Sequence, residues 1–151
     1  MAEIAVVPAS PRDLDRIAEL EEESFPAPWK REFFESELHA VGRYNRVAKF
    51  GRTEVVGYLF AMHFLDEMHI NKIAVSDSYR RRGIANALMV DCLEFARRLD
   101  VRSISLEVRE SNEDAQSFYR VLEFKSVYRR VKYYPDGETA IVMTKELAAS
   151  S

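Results

Sequence analysis

Apolar residues recur along the chain at two spacings, every second position and every third or fourth, and the switches between them mark out the elements. Glu3 to Val7 reads as a short strand. Ser10, Pro11 and Asp13 then open a helix, with Ser10 as N-cap and Pro11 in the first turn. Leu14, Ile17, Ala18 and Leu20 give that helix its apolar stripe. Phe25-Pro26-Ala27-Pro28-Trp29 breaks it, because two prolines cannot continue a helix. A second short helix is expected from Arg31 to Leu38, with Phe33, Phe34 and Leu38 on its apolar side. Strands follow from Arg46 to Phe50 and from Val55 to His63, around a hairpin turn at Gly51-Arg52-Thr53.

The next strand, Asp66 to Val75, changes phase partway. Met68 and Ile70 share one parity, whereas Ile73 and Val75 share the other. An inserted residue near Asn71 or Lys72, a β-bulge, reconciles the two halves. Burial of the strand on both faces is the other reading. Gly83 to Leu99 carries Ile84, Leu88, Cys92, Phe95 and Leu99 at helical spacing. Val101 to Val108 is a strand. Ser111 or Asn112 caps a helix running to about Leu122, with Ala115, Phe118, Tyr119 and Leu122 along its stripe. Two final strands, Phe124 to Tyr133 and Thr139 to Lys145, flank Tyr134-Pro135-Asp136-Gly137-Glu138. This order predicts an α/β (α+β) fold with a mixed central sheet, about six to seven strands, and about four helices spread over both faces. No repeat or linker divides the 151 residues, so a single domain over 1–151 is expected.

Composition narrows the classes. Hydrophobic residues make up 47% and charged residues 31%, ordinary for a globular chain. The net charge of −3 argues against a general nucleic-acid binder. The lone cysteine, Cys92, falls on an apolar helical position and reads as core. His39, His63 and His69 share no ligand spacing, so no metal site is expected. No leader segment is evident and no apolar run approaches the roughly 20 residues needed to span a bilayer, so a cytoplasmic protein without membrane contact is expected.

Two constellations carry chemistry. In the first, strand Ile73-Ala74-Val75 runs into Arg80-Arg81-Arg82-Gly83-Ile84-Ala85-Asn86 at the start of a helix. Free amides and the positive end of a helix dipole converge there, a natural seat for a diphosphate. Gly83 lets backbone approach phosphate, and a valine there is expected to crowd the loop. A solvated basic turn is the plainer alternative. In the second, Glu107 shares strand parity with Ser103 and Ser105, on the more polar face of a central strand. Glu107 and Tyr119 make a workable base and acid. Alternatively, Glu107 is a surface carboxylate paired with Arg109 or Lys72, and Tyr119 is plain core. Trp29, Tyr133 and Tyr134 are candidates to grip an acceptor, or to pack loop bases.

Together these pieces resemble the GNAT acetyltransferases, and in particular the RimI-type ribosomal-protein alanine N-acetyltransferases. The resemblance runs over nearly the whole chain: Phe25-Pro26, Pro28-Trp29, Leu65-Asp66-Glu67, Ile73 to Val75, the Arg80 to Ala85 loop, Leu106 to Arg109, Asn112, Tyr119, Tyr133-Tyr134-Pro135 and Ala140 to Met143. It implies acetyl-CoA as cofactor. Ile73, Ala74 and Val75 would receive the pantetheine arm on strand backbone, and an N–H near Val75 would polarise the thioester carbonyl. Arg80, Arg81, Arg82, Gly83, Ile84, Ala85 and Asn86 would cradle the pyrophosphate, and Asn112 would contact the cofactor. Glu107 would act as base and Tyr119 as acid, in a direct transfer without an acyl-enzyme. The acceptor would be a protein or peptide N-terminus, such as that of a small-subunit ribosomal protein. Asp66 and Glu67 are either an attraction for its amine or an ordinary charged start to a strand. Rivals are a broader peptide, lysine or small-amine acetyltransferase and a non-catalytic acyl-CoA-binding module. The chain departs from the family where Glu123 replaces the usual glycine before Phe124, and where Thr139 replaces an acid.

Overall fold

The computed structural model describes residues 3–148; the outermost positions of the expected 1–151 domain lie outside the described residues. Among the described residues seven strands form one sheet in the order β1-β2-β3-β4-β5-β7-β6. The strands are β1 (Ile4–Pro8), β2 (Arg43–Phe50), β3 (Glu54–Phe64), β4 (Glu67–Val75), β5 (Ser103–Arg109), β6 (Lys125–Arg130) and β7 (Ala140–Glu146). The helices are α1 (Leu14–Ser24), α2 (Arg31–His39), α3 (Ile84–Arg98) and α4 (Glu113–Val121). β4 and β5 pair in parallel across the α3 crossover, while the other ladders are antiparallel.

The local signals act as expected. Ser10 and Asp13 form a reciprocal capping box around the 3₁₀ turn that leads into α1. Asn112 caps α4 by accepting from the Ala115 N–H at 3.1 Å. α1 and α2 cover one face of the sheet, where Leu14, Ile17, Leu20 and Phe34 pack on Val47, Tyr58, Phe60 and Ala74. α3 and α4 cover the other, where Ile84, Leu88, Cys92 and Tyr119 pack on Met68, Ile70, Leu106 and Val108.

The phase change in β4 is a bulge. Phe60 opposes Lys72 and Ala61 opposes Ile70, so Asn71 has no partner on β3. The extra residue returns Ile73 and Val75 to the α3/α4 face already occupied by Met68 and Ile70, and leaves Ala74 on the α1/α2 face.

The bulge coincides with a split in the sheet. β4 pairs with β5 only from Glu67 to Ile70, against Ser103 to Leu106. Beyond that point β5 continues beside β7 and β4 continues beside β3, so a gap opens between β4 and β5. Asp66 and Glu67 lie at the closed end of the pair, not at the gap, which removes them from any role in drawing an amine toward it.

Candidate active site

Backbone direction along β4 follows from one bond. Ser76 N–H donates to the Val56 carbonyl at 2.8 Å, so that pair faces β3. In an antiparallel ladder these bonds alternate. Ala74 opposite Tyr58 therefore also faces β3, whereas Ile73 and Val75 turn their N–H and C=O groups into the gap. Of the three residues expected to offer backbone there, Ala74 is committed to β3. Gly57 holds the strands this close, since a Cβ on it would sit 2.9 Å from the Ala74 carbonyl oxygen.

The basic loop lies just past the end of β4. Arg81 (φ 64°) and Gly83 (φ 79°) both adopt the left-handed region, which turns successive amides to one side. α3 then begins, with its first intrahelical bond running from Ala87 N–H to Gly83 O at 2.9 Å. No acceptor among the described residues meets the backbone N–H groups of Arg81 through Asn86, and no side chain caps the helix. This cluster of unpartnered amides at a helix N-terminus, one strand away from unpaired β4 backbone, fits a diphosphate joined to an amide-bearing arm. Arg80 turns back onto Asp77 at 2.8 Å, and Arg82 lies over the Tyr79 ring at 5.1 Å. A Cβ on Gly83 would meet nothing within 4 Å. The expected crowding by a valine is thus absent within the protein; the constraint is the positive φ.

Glu107 points to the α1/α2 face, because Ile104, Leu106 and Val108 take the other. It pairs with neither Arg109 nor Lys72. His69 Nε2 lies 2.6 Å from Glu107 Oε2, and the Tyr133 hydroxyl donates to Oε1 at 3.1 Å. Burial alone would raise the Glu107 carboxyl, but the hydrogen bond and charge of His69, then the Tyr133 bond, hold it below its ordinary value. His69 is the residue that sequence reasoning passed over. It opposes Ser105, two residues from Glu107 on the same face, a register between strands that no local sequence pattern carries.

Tyr133 and Tyr134 meet edge-on at 5.1 Å. Their loop is stapled by Arg109, which donates to Asp136 at 2.8 Å and Glu138 at 2.9 Å and lies over Tyr134 at 4.1 Å. Glu138 also accepts from the Ser111 N–H at 2.8 Å. Burial pushes the Tyr134 hydroxyl up to about 12.

Trp29 joins the same face by a different route. Glu21, fully buried, accepts from the Trp29 N–H and from Lys72 Nζ at 2.9 Å each, and from the Tyr58 hydroxyl at 2.6 Å. Lys72 sits over the Phe25 ring at 3.6 Å and the Trp29 ring at 4.9 Å. The Phe25–Trp29 loop is thereby tied to β4 beside the bulge. A shallow pocket of about 390 Å³ lies beyond Trp29, lined by Lys30, Glu32, Phe33 and Ser36, and no group bonded to Glu107 lines it.

Tyr119 comes from the opposite face, on α4. Its ring is buried with an edge-on contact to Phe124 at 5.8 Å, and its hydroxyl has no hydrogen-bond partner among the described residues. Burial pushes it above its ordinary value, so it stays protonated at neutral pH. Asn112 uses its side-chain oxygen to cap α4. Cys92 is wholly buried and its thiol is pushed up to about 12, which leaves no thiolate to form an acyl-enzyme. Among the described residues no group of acidic, histidine and cysteine side chains is arranged to hold a metal, and no helix is long and apolar enough to cross a membrane.

Comparison with known proteins identifies the family. Residues 14–124 match the model of the acetyltransferase (GNAT) family. The chain is 31% identical over 140 residues to the [ribosomal protein bS18]-alanine N-acetyltransferase of Escherichia coli K12, covering 87% of this chain and 89% of that one. The crystal structure of the ribosomal-protein-S18-alanine N-acetyltransferase from Escherichia coli superposes with a TM-score of 0.90 at 26% identity, over 99% of this chain and 97% of that one. The crystal structure of Arabidopsis thaliana NAA60 in complex with acetyl-CoA shares the fold, with a TM-score of 0.87 at 21% identity over 96% of this chain and 99% of that one. The chain belongs to the GNAT acetyltransferase family and is an N-acetyltransferase that uses acetyl-CoA.

Proposed function

We propose that this enzyme acetylates the α-amine of protein N-termini, alanine foremost, with a ribosomal protein as acceptor, as the name of the Escherichia coli relative suggests. The supporting observation is Glu107, a carboxylate on the rim of the β4–β5 gap, bonded by Tyr133 from the acceptor side. Its depressed pKa makes it a modest base. An α-amine has a pKa of about 8, so roughly a tenth of it is neutral at pH 7, against fewer than about one in 1,000 lysine side chains. A modest base suits the former.

Acetyl-CoA supplies the acetyl group as a thioester and leaves as the thiol. Ile73 and Val75 hold the amide-bearing arm on backbone left free in the gap, in the manner of an added strand. An N–H near Val75 draws electrons from the carbonyl under attack. Arg81, Arg82, Gly83, Ile84, Ala85 and Asn86 seat the pyrophosphate with their amides and charge, with Arg80, whose amide and guanidinium are on Asp77, adding only its nearby charge, and Asn112 touches the cofactor through the amide nitrogen left free by capping. Trp29, Tyr133 and Tyr134 orient the incoming peptide. Glu107 takes the proton from the amine, and Tyr119 gives one to the leaving sulfur from the other face of the sheet.

Peptides beginning with alanine, serine or methionine, and an N-terminally blocked peptide with one internal lysine, test this reading. The alanine peptide should be acetylated fastest and the blocked peptide left unmodified. Equal rates on all four would overturn it.

A further inference from the structure

Glu107 is held by a group that the transfer chemistry above does not use. His69 presents Nε2 to both carboxylate oxygens, at 2.9 and 2.6 Å, while its Nδ1 lies 2.7 Å from Asn71 Oδ1 at the bulge. With that oxygen facing the ring, Nδ1 carries a proton. Nε2 and the carboxylate then meet across one further proton, which the pair shares. The Glu107 side chain is only 10% exposed and that of His69 is 35% exposed, so the ring is the more accessible partner of the pair.

Acetylation of the neutral amine moves one proton from nitrogen to Glu107, while Tyr119 gives one to the departing sulfur and regains it from solvent. The proton on Glu107 must reach solvent, and Glu107 has little solvent of its own. Building on the reading of Glu107 as the base, we infer that His69 is a positioning residue that fixes the Glu107 carboxylate and passes its captured proton to water. The amine N–H bond breaks and a Glu107 O–H bond forms. That proton moves to Nε2, the imidazolium gives its Nδ1 proton to water as the contact with Asn71 opens, and proton exchange with water returns the remaining proton from Nε2 to Nδ1, which resets both groups.

The surrounding charges allow this. Facing the ring are Glu107 from β5 and Arg130 from β6, with Asn71 beside it on β4 and Tyr133 reaching the same carboxylate. Burial lowers the ring's pKa, but the bond and charge of Glu107 outweigh it and leave the pKa above the ordinary 6.5. The ring can therefore accept a proton only above that raised value.

The test is kcat/KM for an alanine-starting peptide between about pH 5.5 and about pH 9, for wild type and His69→Gln, which keeps a hydrogen bond to Glu107 but cannot carry a proton. The wild-type advantage should grow from near unity at the acid end to on the order of ten-fold at the alkaline end. His69→Ala should regain rate when imidazole is added. By NMR, the His69 ring should titrate above 6.5 in wild type and lower in Glu107→Gln. A pH-independent ratio, no rescue, or a ring midpoint indifferent to Glu107→Gln would overturn the relay. The base reading fails separately: it is lost if Glu107→Gln itself acetylates at the wild-type rate, whereas a slow Glu107→Gln beside a normal His69→Gln sinks the relay alone.

Discussion

Two donors hold Glu107, His69 at 2.6 Å and Tyr133 at 3.1 Å, and its behaviour follows from them. Glu107→Gln should lower kcat by about 10² to 10⁴ with little change in CoA affinity, because the carboxylate is expected to act on the acceptor. Tyr119→Phe should lower kcat in the same way if the hydroxyl protonates the leaving sulfur; stopped-flow turnover alongside CoA titration separates the two effects. The pair also makes stability depend on pH. A histidine with a raised folded pKa stabilises the fold fully below about 6.5 and loses that contribution as pH climbs through the folded value. A glutamate with a depressed folded pKa contributes above about 4.5 and loses its contribution as pH falls. The difference in thermal midpoint between wild type and His69→Gln should therefore be larger near pH 5.5 than near pH 8.5. Glu123 carries a different lesson. It sits at φ 71° in a Schellman cap, with Phe124 N–H on Tyr119 O at 3.0 Å and Glu123 N–H on Arg120 O at 2.9 Å. Its contact with Lys145, at 3.7 Å with the Glu123 side chain 84% exposed, offsets little of the strain. Glu123→Gly should raise unfolding free energy by about 1 kcal/mol in chemical denaturation. The sequence shows the missing glycine and the polar parity of Glu107, since both are local. It does not show His69 as Glu107's partner, because that contact depends on which strand lies beside β4 and on a one-residue bulge.

At the scale of elements, the β4 bulge and the β4–β5 split work together. The change of parity between Ile70 and Ile73 could be read directly, since a period-2 pattern cannot shift phase without an inserted residue. The split could not be read that way, because it arises from β5 leaving β4 for β7, a long-range pairing. Lys72 shows the same limit. A lysine next to the bulge suggests a surface charge, yet it lies against buried Glu21 and two aromatic rings. Lys72→Met leaves that carboxylate with two neutral donors and should cost about 3 kcal/mol, and adding Glu21→Gln should recover part of the loss. Denaturant unfolding of the two single variants and the double variant checks this. Gly83→Val faces no clash, so it should leave the thermal midpoint within a few degrees while weakening CoA at least about ten-fold, through the cost of holding a β-branched residue at φ 79°. An unchanged affinity would remove the amide cradle from the account.

Across the whole molecule, the gap lets groups on the two faces of the sheet reach one another. Glu107, His69 and the loops bearing Trp29 and Tyr133 approach from the α1/α2 side, and Tyr119 approaches from the α3/α4 side. A nucleophile and a leaving group on opposite sides of one carbonyl need that arrangement. The gap also leaves strand backbone unpaired inside the sheet, beside the loop amides of Arg81 through Asn86. Residue-resolved amide hydrogen exchange with and without saturating CoA tests this most directly. CoA should slow exchange at Ile73, Val75 and Arg81 through Asn86, and leave Ala74, already bonded to β3, as it was. Bound CoA with unaltered exchange at Ile73, Val75 and the loop amides would contradict it.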